Sequence, residues 1–327
     1  LSLTISIVGA DANNPNGDGT GTIQCSASAT NAISYGYRFG TGSEITSSTG
    51  DIDFTYTDAG TNNHTVSVFA YSSTGNSINT SQDITVTVTP DSFSTLIFSD
   101  EFDTDGSPES SKWGYDIGTG NGGWGNNESQ YYTSRSDNVI VEGGFLKIIA
   151  KKESYQGSQY TSTRMLTQGK FDFTYGRVEV RAKLPAGNGT WPAIWMLGAN
   201  FSTVGWPATG EIDIMEHAGN RQGTVQSAMH TPSSFGNTVN HGDQFLSDVS
   251  TAFHVYTLEW TSEKMVFAVD GVTHYTYNPS TKNSSTWPFD APQFLILNVA
   301  MGGTFGGAID PNFTTSSMDI DYVRIYQ

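Results

Sequence analysis

The chain has 327 residues, enough for one large domain and a smaller one. Gly, Ser, Thr and Asn are abundant, while 15 Lys and Arg stand against 32 Asp and Glu, a net charge of −17. That balance argues against nucleic acid, whose phosphates need a basic surface, and favours a neutral polymer over a strongly anionic one.

Strand-forming runs recur along the chain and no long 3.6-period segment stands out, so an all-β protein is expected. Residues 1–91 hold one basic residue, Arg38, against eight acidic ones, and all seven tryptophans come later. Short strands are read at Leu3-Thr4-Ile5-Ser6-Ile7, Thr22-Ile23-Gln24-Cys25, residues 34–39, 64–70 and 83–88, separated by turn-rich stretches such as Asn13-Asn14-Pro15-Asn16-Gly17. Such spacing suggests an immunoglobulin-like β-sandwich, with Cys25 as a small core residue. Tyr37-Arg38-Phe39-Gly40-Thr41-Gly42, and Phe54-Thr55-Tyr56-Thr57-Asp58-Ala59-Gly60 with the strand that follows, resemble a PKD domain. That resemblance implies a module attached to a secreted polysaccharide-degrading enzyme, and a spacer role is expected because no cluster of exposed aromatics marks a sugar platform.

Thr89-Pro90-Asp91-Ser92 reads as a linker, with Pro90 ending the last strand. Two domains are therefore expected, 1–91 and 92–327. In the second, residues 177–184 alternate polar and apolar as a half-buried strand does. Asp270-Gly271 between two strand runs predicts a type I′ hairpin. Residues 294–300 are apolar on both faces and belong at the centre of a sheet. Strands of this number and length fit a large two-sheet β-jelly-roll (concanavalin-like) sandwich whose curved face could hold a polymer.

The densest chemistry lies in Gly210-Glu211-Ile212-Asp213-Ile214-Met215-Glu216. Glu211 and Asp213 are two apart, so a strand points both to one face. Glu216 has the opposite parity. One extra residue, a β-bulge near Ile214-Met215, would return it to that face. Paired carboxyls are the usual machinery for cleaving a glycosidic bond, and retention of configuration wants them roughly 5–5.5 Å apart. Trp191, Trp195 and Trp206 lie near this strand, and flat indoles complement the apolar C–H faces of sugars. Trp206, just before the acid strand, is the best placed of them to stack a sugar, and Trp195 is read as part core and part site.

Six segments carry a specific resemblance to glycoside hydrolase family 16, and within it to laminarinases. They are Gly123-Trp124-Gly125-Asn126-Asn127-Glu128, the strand 176–185, Gly189-Thr190-Trp191-Pro192-Ala193-Ile194-Trp195-Met196-Leu197-Gly198, the acid strand, Leu297-Asn298-Val299-Ala300-Met301-Gly302-Gly303, and Asp321-Tyr322-Val323-Arg324-Ile325-Tyr326-Gln327. The resemblance implies an endo-acting retaining β-1,3-glucanase, with Glu211 as nucleophile, Glu216 as general acid/base and Asp213 as the helper between them. It implies sugar contacts from Asn126 and Arg181, and places His230 beside the acids, where it could tune Asp213. It implies no catalytic cofactor but a structural calcium ion held by Asp321 and by carbonyls near Glu101 and Gly144. A mixed-linkage glucanase, an agarase or carrageenase, and a non-catalytic β-glucan-binding protein are the alternatives. Retention of both Glu211 and Glu216 speaks against the last. The expected partner is a β-glucan and the expected state a monomer. A secreted or cell-surface setting is implied, although no signal peptide is visible and the chain starts at Leu1. No apolar run reaches the roughly 18–20 residues that a membrane helix needs.

Overall fold

The computed structural model describes residues 1–89 and 93–327. It divides into two units, Leu1–Ser92 and Phe93–Gln327. The linker expected at 89–92 lies, beyond Thr89, outside the described residues.

The first unit is built from strands. Ser2–Ile7, Thr22–Ser28 and Asp51–Thr55 form a three-stranded sheet, and Ile45–Ser47, Ala32–Phe39, Gly60–Ser72 and Ser77–Val88 a four-stranded one. Period-2 alternation makes the core: Ile23, Cys25 and Ala27 point inward from one strand and meet Tyr37, Val66, Val68 and Val86 from the other sheet. Cys25 is buried there as a small apolar residue. The strands Ile45–Ser47 and Asp51–Thr55 carry too few apolar residues to stand out in the sequence.

The second unit is an all-β sandwich of two sheets, one of ten strands and one of seven. Gly176–Lys183 lies in the ten-stranded sheet between His254–Trp260 and Thr315–Tyr326. The seven-stranded sheet runs His241–Phe245, Thr224–His230, Glu211–His217, Thr190–Gly198, Gln293–Met301, Arg164–Leu166, Gly114–Asp116. Gln293–Met301 is buried at every position, which explains its unbroken apolar reading. The main core is one cluster fed by both sheets, with Val178, Val180 and Leu258 from the first and Ile194, Met196, Ile212 and Leu295 from the second. Asp270 and Gly271 have φ of 50° and 77°, both positive as a type I′ turn requires.

The two ends of this unit are tied together. Leu96–Asp100 pairs with Thr315–Tyr326, and Thr95 and Gln327 exchange backbone hydrogen bonds of 2.7 and 2.8 Å. With its own core and its own closed ends, the unit meets the requirements for folding alone. Residues 93–327 expressed separately should unfold in one cooperative calorimetric transition, at the temperature of the matching transition in the full chain. A broad trace without a heat peak would show that it depends on the first unit.

Candidate active site

Gly210 opens the acid strand at φ 77°, where a Cβ would sit 2.6 Å from the Phe289 ring. The strand then runs antiparallel to Thr190–Gly198, with Leu197 opposite Glu211, Trp195 opposite Asp213, Ile194 opposite Met215 and Ala193 opposite Glu216. Ile214 is the extra residue. On the other side Asp213 pairs with Ala228 and Glu216 with Gln226, so Ser227 alone spans the interval. This is the expected bulge. Ile212, Ile214 and Met215 all go to the core, and the three acids share the opposite face. The hydroxyl of Ser227 donates to the Ile214 carbonyl at 2.7 Å and so satisfies the backbone that the bulge displaces.

The neighbours of each acid differ. Glu216 Oε1 accepts the Trp191 indole N–H at 2.9 Å. Asp213 Oδ2 lies 3.1 Å from His230 Nε2, close but not aligned as a hydrogen bond, and Glu211 Oε1 lies 3.6 Å from the same nitrogen. His230 Nδ1 accepts the Gly236 N–H at 3.1 Å. That hydrogen bond assigns the ring proton to Nε2, the nitrogen on the side of the carboxyls. Among the described residues, Glu211, Asp213 and His230 form the one acidic and imidazole group whose ligand atoms lie within 4.8 Å of one another. A metal ion there would need the Nε2 lone pair that this tautomer has filled, so the group is a proton-sharing cluster.

Burial governs its charge. Burial first, then the charge of Asp213, pushes the Glu211 carboxyl up to about 8, against the pull of His230 and Arg164. Burial raises Asp213 to about 8. Glu216 is raised to about 8 by burial and by Asp213, while the Trp191 N–H and His230 pull it down. Three carboxylates cannot all ionise in this space at neutral pH, and the cluster titrates as one unit. Arg164 pulls Glu211 down and the Trp191 N–H pulls Glu216 down, so each outer acid has its own contact that favours its charged form.

Of the other residues picked from sequence, Trp191, Trp195, Trp206 and His230 surround the acids. The Trp195 N–H donates to Asn298 Oδ1 at 2.7 Å. Trp206 is 43% exposed, with its ring 6.0 Å from that of His230, as a stacking platform requires. Asn126 sits in the loop Gly123–Asn127, whose backbone comes against Gly303 beside Trp191; a Cβ on Gly303 would lie 2.9 Å from Asn126 O and 3.3 Å from Trp191 Cζ3. Asn126 donates to Glu128, which also accepts Gln130 Nε2 at 2.6 Å and the Tyr132 hydroxyl at 3.1 Å. Asn298 Nδ2 donates to that hydroxyl at 3.2 Å. A polar chain thus runs from Trp195 to the Asn126 loop.

Arg181 is not with them, which corrects the expectation of a sugar contact. It lies on the ten-stranded sheet, its guanidinium bonded to Asp321 at 2.5 Å and over the Phe253 ring at 4.8 Å. The cleft arginine is Arg164, which sequence reading missed. It sits opposite Asn298 and Asp116, with its guanidinium 4.7 Å from both the Trp124 and Trp195 ring centres and 3.0 Å from Asp116. Nothing in the local sequence marks it, because its partners come from distant strands. Glu101 and Asp321 likewise belong to the ten-stranded sheet side, on Arg324 and Arg181 respectively, and Gly144 is in the turn before Phe145–Tyr155.

The family model described as glycosyl hydrolases family 16 matches residues 126–324. A beta-glucanase of Rhodothermus marinus is 44% identical over 245 residues, 71% of this chain and 85% of that one. Glucan endo-1,3-beta-glucosidase A1 of Niallia circulans is 37% identical over 71% of this chain and 38% of its own longer length. The crystal structure of the laminarinase from Flavobacterium sp. UMI-01 superimposes with a TM-score of 0.68 at 44% identity, over 71% of this chain and all of that one.

Neutral isosteres test the electrostatics directly. Folded pKa values raised above the unfolded 4.5 and 3.8 mean that stability is full below about pH 4 and is lost as pH rises toward 8. Glu216→Gln and Asp213→Asn should therefore raise the free energy of unfolding, by little at pH 4 and by on the order of 1–2 kcal/mol at pH 8, as measured by denaturant titration. A gain that is the same at both pH values would show that burial is not the source.

Proposed function

The chain belongs to glycosyl hydrolases family 16, and from that premise we propose that it hydrolyses internal β-1,3-glucosidic bonds of laminarin-type glucans with retention of configuration. The observation that carries this is the bulged strand, which sets Glu211, Asp213 and Glu216 on one face among Trp191, Trp195 and Trp206. The glycosidic oxygen takes the proton of Glu216 as the Glu211 carboxylate attacks the anomeric carbon. The bond to the leaving chain breaks and a glycosyl ester forms. Glu216, now a carboxylate, takes a proton from water, and the water oxygen displaces Glu211 from the same carbon. Two inversions give retention. Asp213 holds the negative charge and proton balance between the two, and His230 Nε2–H steadies it. Arg164, Asn126 and Trp206 are assigned to sugar binding.

NMR of the first product from laminarin should show the β-anomer. Glu211→Ala and Glu216→Ala should each cut turnover by at least about a thousandfold without unfolding the protein. Azide with an activated substrate then separates the roles: an inverted glycosyl azide from the Glu211 variant, a retained one from the Glu216 variant. The opposite pattern would exchange the assignments, and no hydrolysis of any β-glucan by the unaltered protein would end this reading.

A structural calcium ion is proposed on the side away from the acids. The strand register favours it: Leu146 pairs with Ile320 and Asp100 with Val323, so the backbones at Gly144 and Glu101 flank Asp321. Asp321 is also the residue skipped between Tyr322, opposite Arg181, and Ile320, opposite Ala182. Arg181 takes Asp321 Oδ2, which leaves Oδ1 and two carbonyls as the oxygen ligands for a hard cation that would complete its shell with water. Calcium there would tie the closing strand to the two turns beside it. EDTA should lower the melting temperature and calcium restore it, with little change in rate at low temperature. An Asp321→Ala variant that keeps the full calcium response would move the site elsewhere. Residues 1–91 are read as a PKD-like spacer in a secreted enzyme, and the catalytic unit without them should keep its activity on soluble laminarin.

A further inference from the structure

Trp206 and Phe235 are 43% and 49% exposed, a high fraction for two large rings placed side by side. Their centroids are 5.2 Å apart and their planes are inclined at 80°. They therefore make a corner with two flat walls. It stands next to the acids: the Trp206 ring is 6.0 Å from that of His230, and His230 Nε2 is 3.6 Å from Glu211.

An exposed Phe on a loop is ordinarily unremarkable. This loop is tightly knitted. Thr231 and Ser234 exchange backbone bonds of 2.9 and 3.0 Å, and the Ser233 N–H reaches the Ser285 carbonyl at 2.9 Å. The Ser234 hydroxyl pairs with that of Thr238 and accepts the Val239 N–H, both at 3.0 Å, while Thr238 donates to the Met229 carbonyl at 2.9 Å. Gly236, at φ 66°, gives its N–H to His230. The ring of Phe235 is thus held in the open by a rigid loop whose next residue touches the catalytic cluster. Keeping an aromatic ring in water at that point gains nothing for folding.

We propose that Phe235 is a specificity-determining residue, which forms with Trp206 a right-angled aromatic corner that selects a turning β-1,3-linked glucan over a flat β-1,4-linked run. The inference rests on the glucanase reading and deepens it. In a β-1,4 chain each sugar is flipped relative to the last, so the ring faces stay near one plane and a single platform serves them. A β-1,3 chain turns at each linkage, so neighbouring rings present faces in different planes. Two walls at 80° accept consecutive sugars of the second kind and not of the first. Stacked rings are worth enough to shift affinity severalfold.

The test compares Phe235→Ala, Phe235→Tyr and Phe235→Leu with the unaltered enzyme on laminarin and on lichenan. Phe235→Ala should raise KM on laminarin about fivefold with kcat nearly constant, and leave lichenan within about twofold, so the ratio of kcat/KM values falls. Phe235→Tyr should restore the ratio and Phe235→Leu should not. In parallel, laminaritetraose and cellotetraose binding is measured by calorimetry in Glu211→Gln with and without Phe235→Ala, and only laminaritetraose should weaken. An equal loss on both substrates, or full rescue by Leu, overturns the corner. A fall in kcat at unchanged KM overturns it too, since Phe235 would then act only by holding Gly236 on His230. If the unaltered enzyme hydrolyses neither polymer, the glucanase reading fails, while the binding comparison still decides the corner.

Discussion

One misfit residue in a strand is the constraint on which the site depends. A regular strand would send Glu216 into the core and turn Met215 out to the cleft. Burying that carboxyl among apolar side chains would cost several kcal/mol, so the sequence admits no unbulged solution. Inserting Ile214 restores the parity of Glu216 and lets Ile212, Ile214 and Met215 fill the core together. Ser227 makes the distortion tolerable by hydrogen-bonding the displaced carbonyl, and the same hydroxyl lies 2.9 Å from His274 Nε2. The geometry of catalysis is therefore enforced by packing behind it.

The acids are held against their own electrostatic preference. Burial raises all three, and their proximity raises Glu211 and Glu216 further. Folding must supply the energy that keeps them together, and it does so from the unbroken nine-pair ladder between Thr190–Gly198 and Gln293–Met301 and the core beneath it. The polar chain from Trp195 through Asn298 and Tyr132 to Glu128 links the strands behind the site, and burial and the neighbouring Glu128 hold the Tyr132 hydroxyl well above its usual range. Such a site trades stability for a proton kept at neutral pH.

The acid strand, its bulge and the Asp270-Gly271 hairpin were legible because each is decided within a few residues of chain. Parity and turn chemistry are local rules. Arg181 shows where locality ends. Its strand reads as half-buried, correctly, but alternation says nothing about which sheet a strand joins or which way its polar face looks. Arg164 was invisible for the same reason, since its aromatic and acidic neighbours come from Gly114–Asp116, Gly123–Asn127 and Thr190–Gly198. Phe235 depends on a loop whose shape is set by hydroxyl hydrogen bonds that composition does not reveal. The acids could be read from spacing; the walls around them required the fold.

The pairing of Leu96–Asp100 with Thr315–Tyr326 has a wider meaning. Both ends of the catalytic unit leave from the sheet that does not carry the acids. The unit is topologically a plug-in: its entry and exit are adjacent, so a host chain could receive it at a single surface loop, and the two ends could be joined and the ring opened elsewhere without crossing the cleft. A hydrolase built this way can be appended, inserted or permuted in evolution while the substrate groove stays untouched.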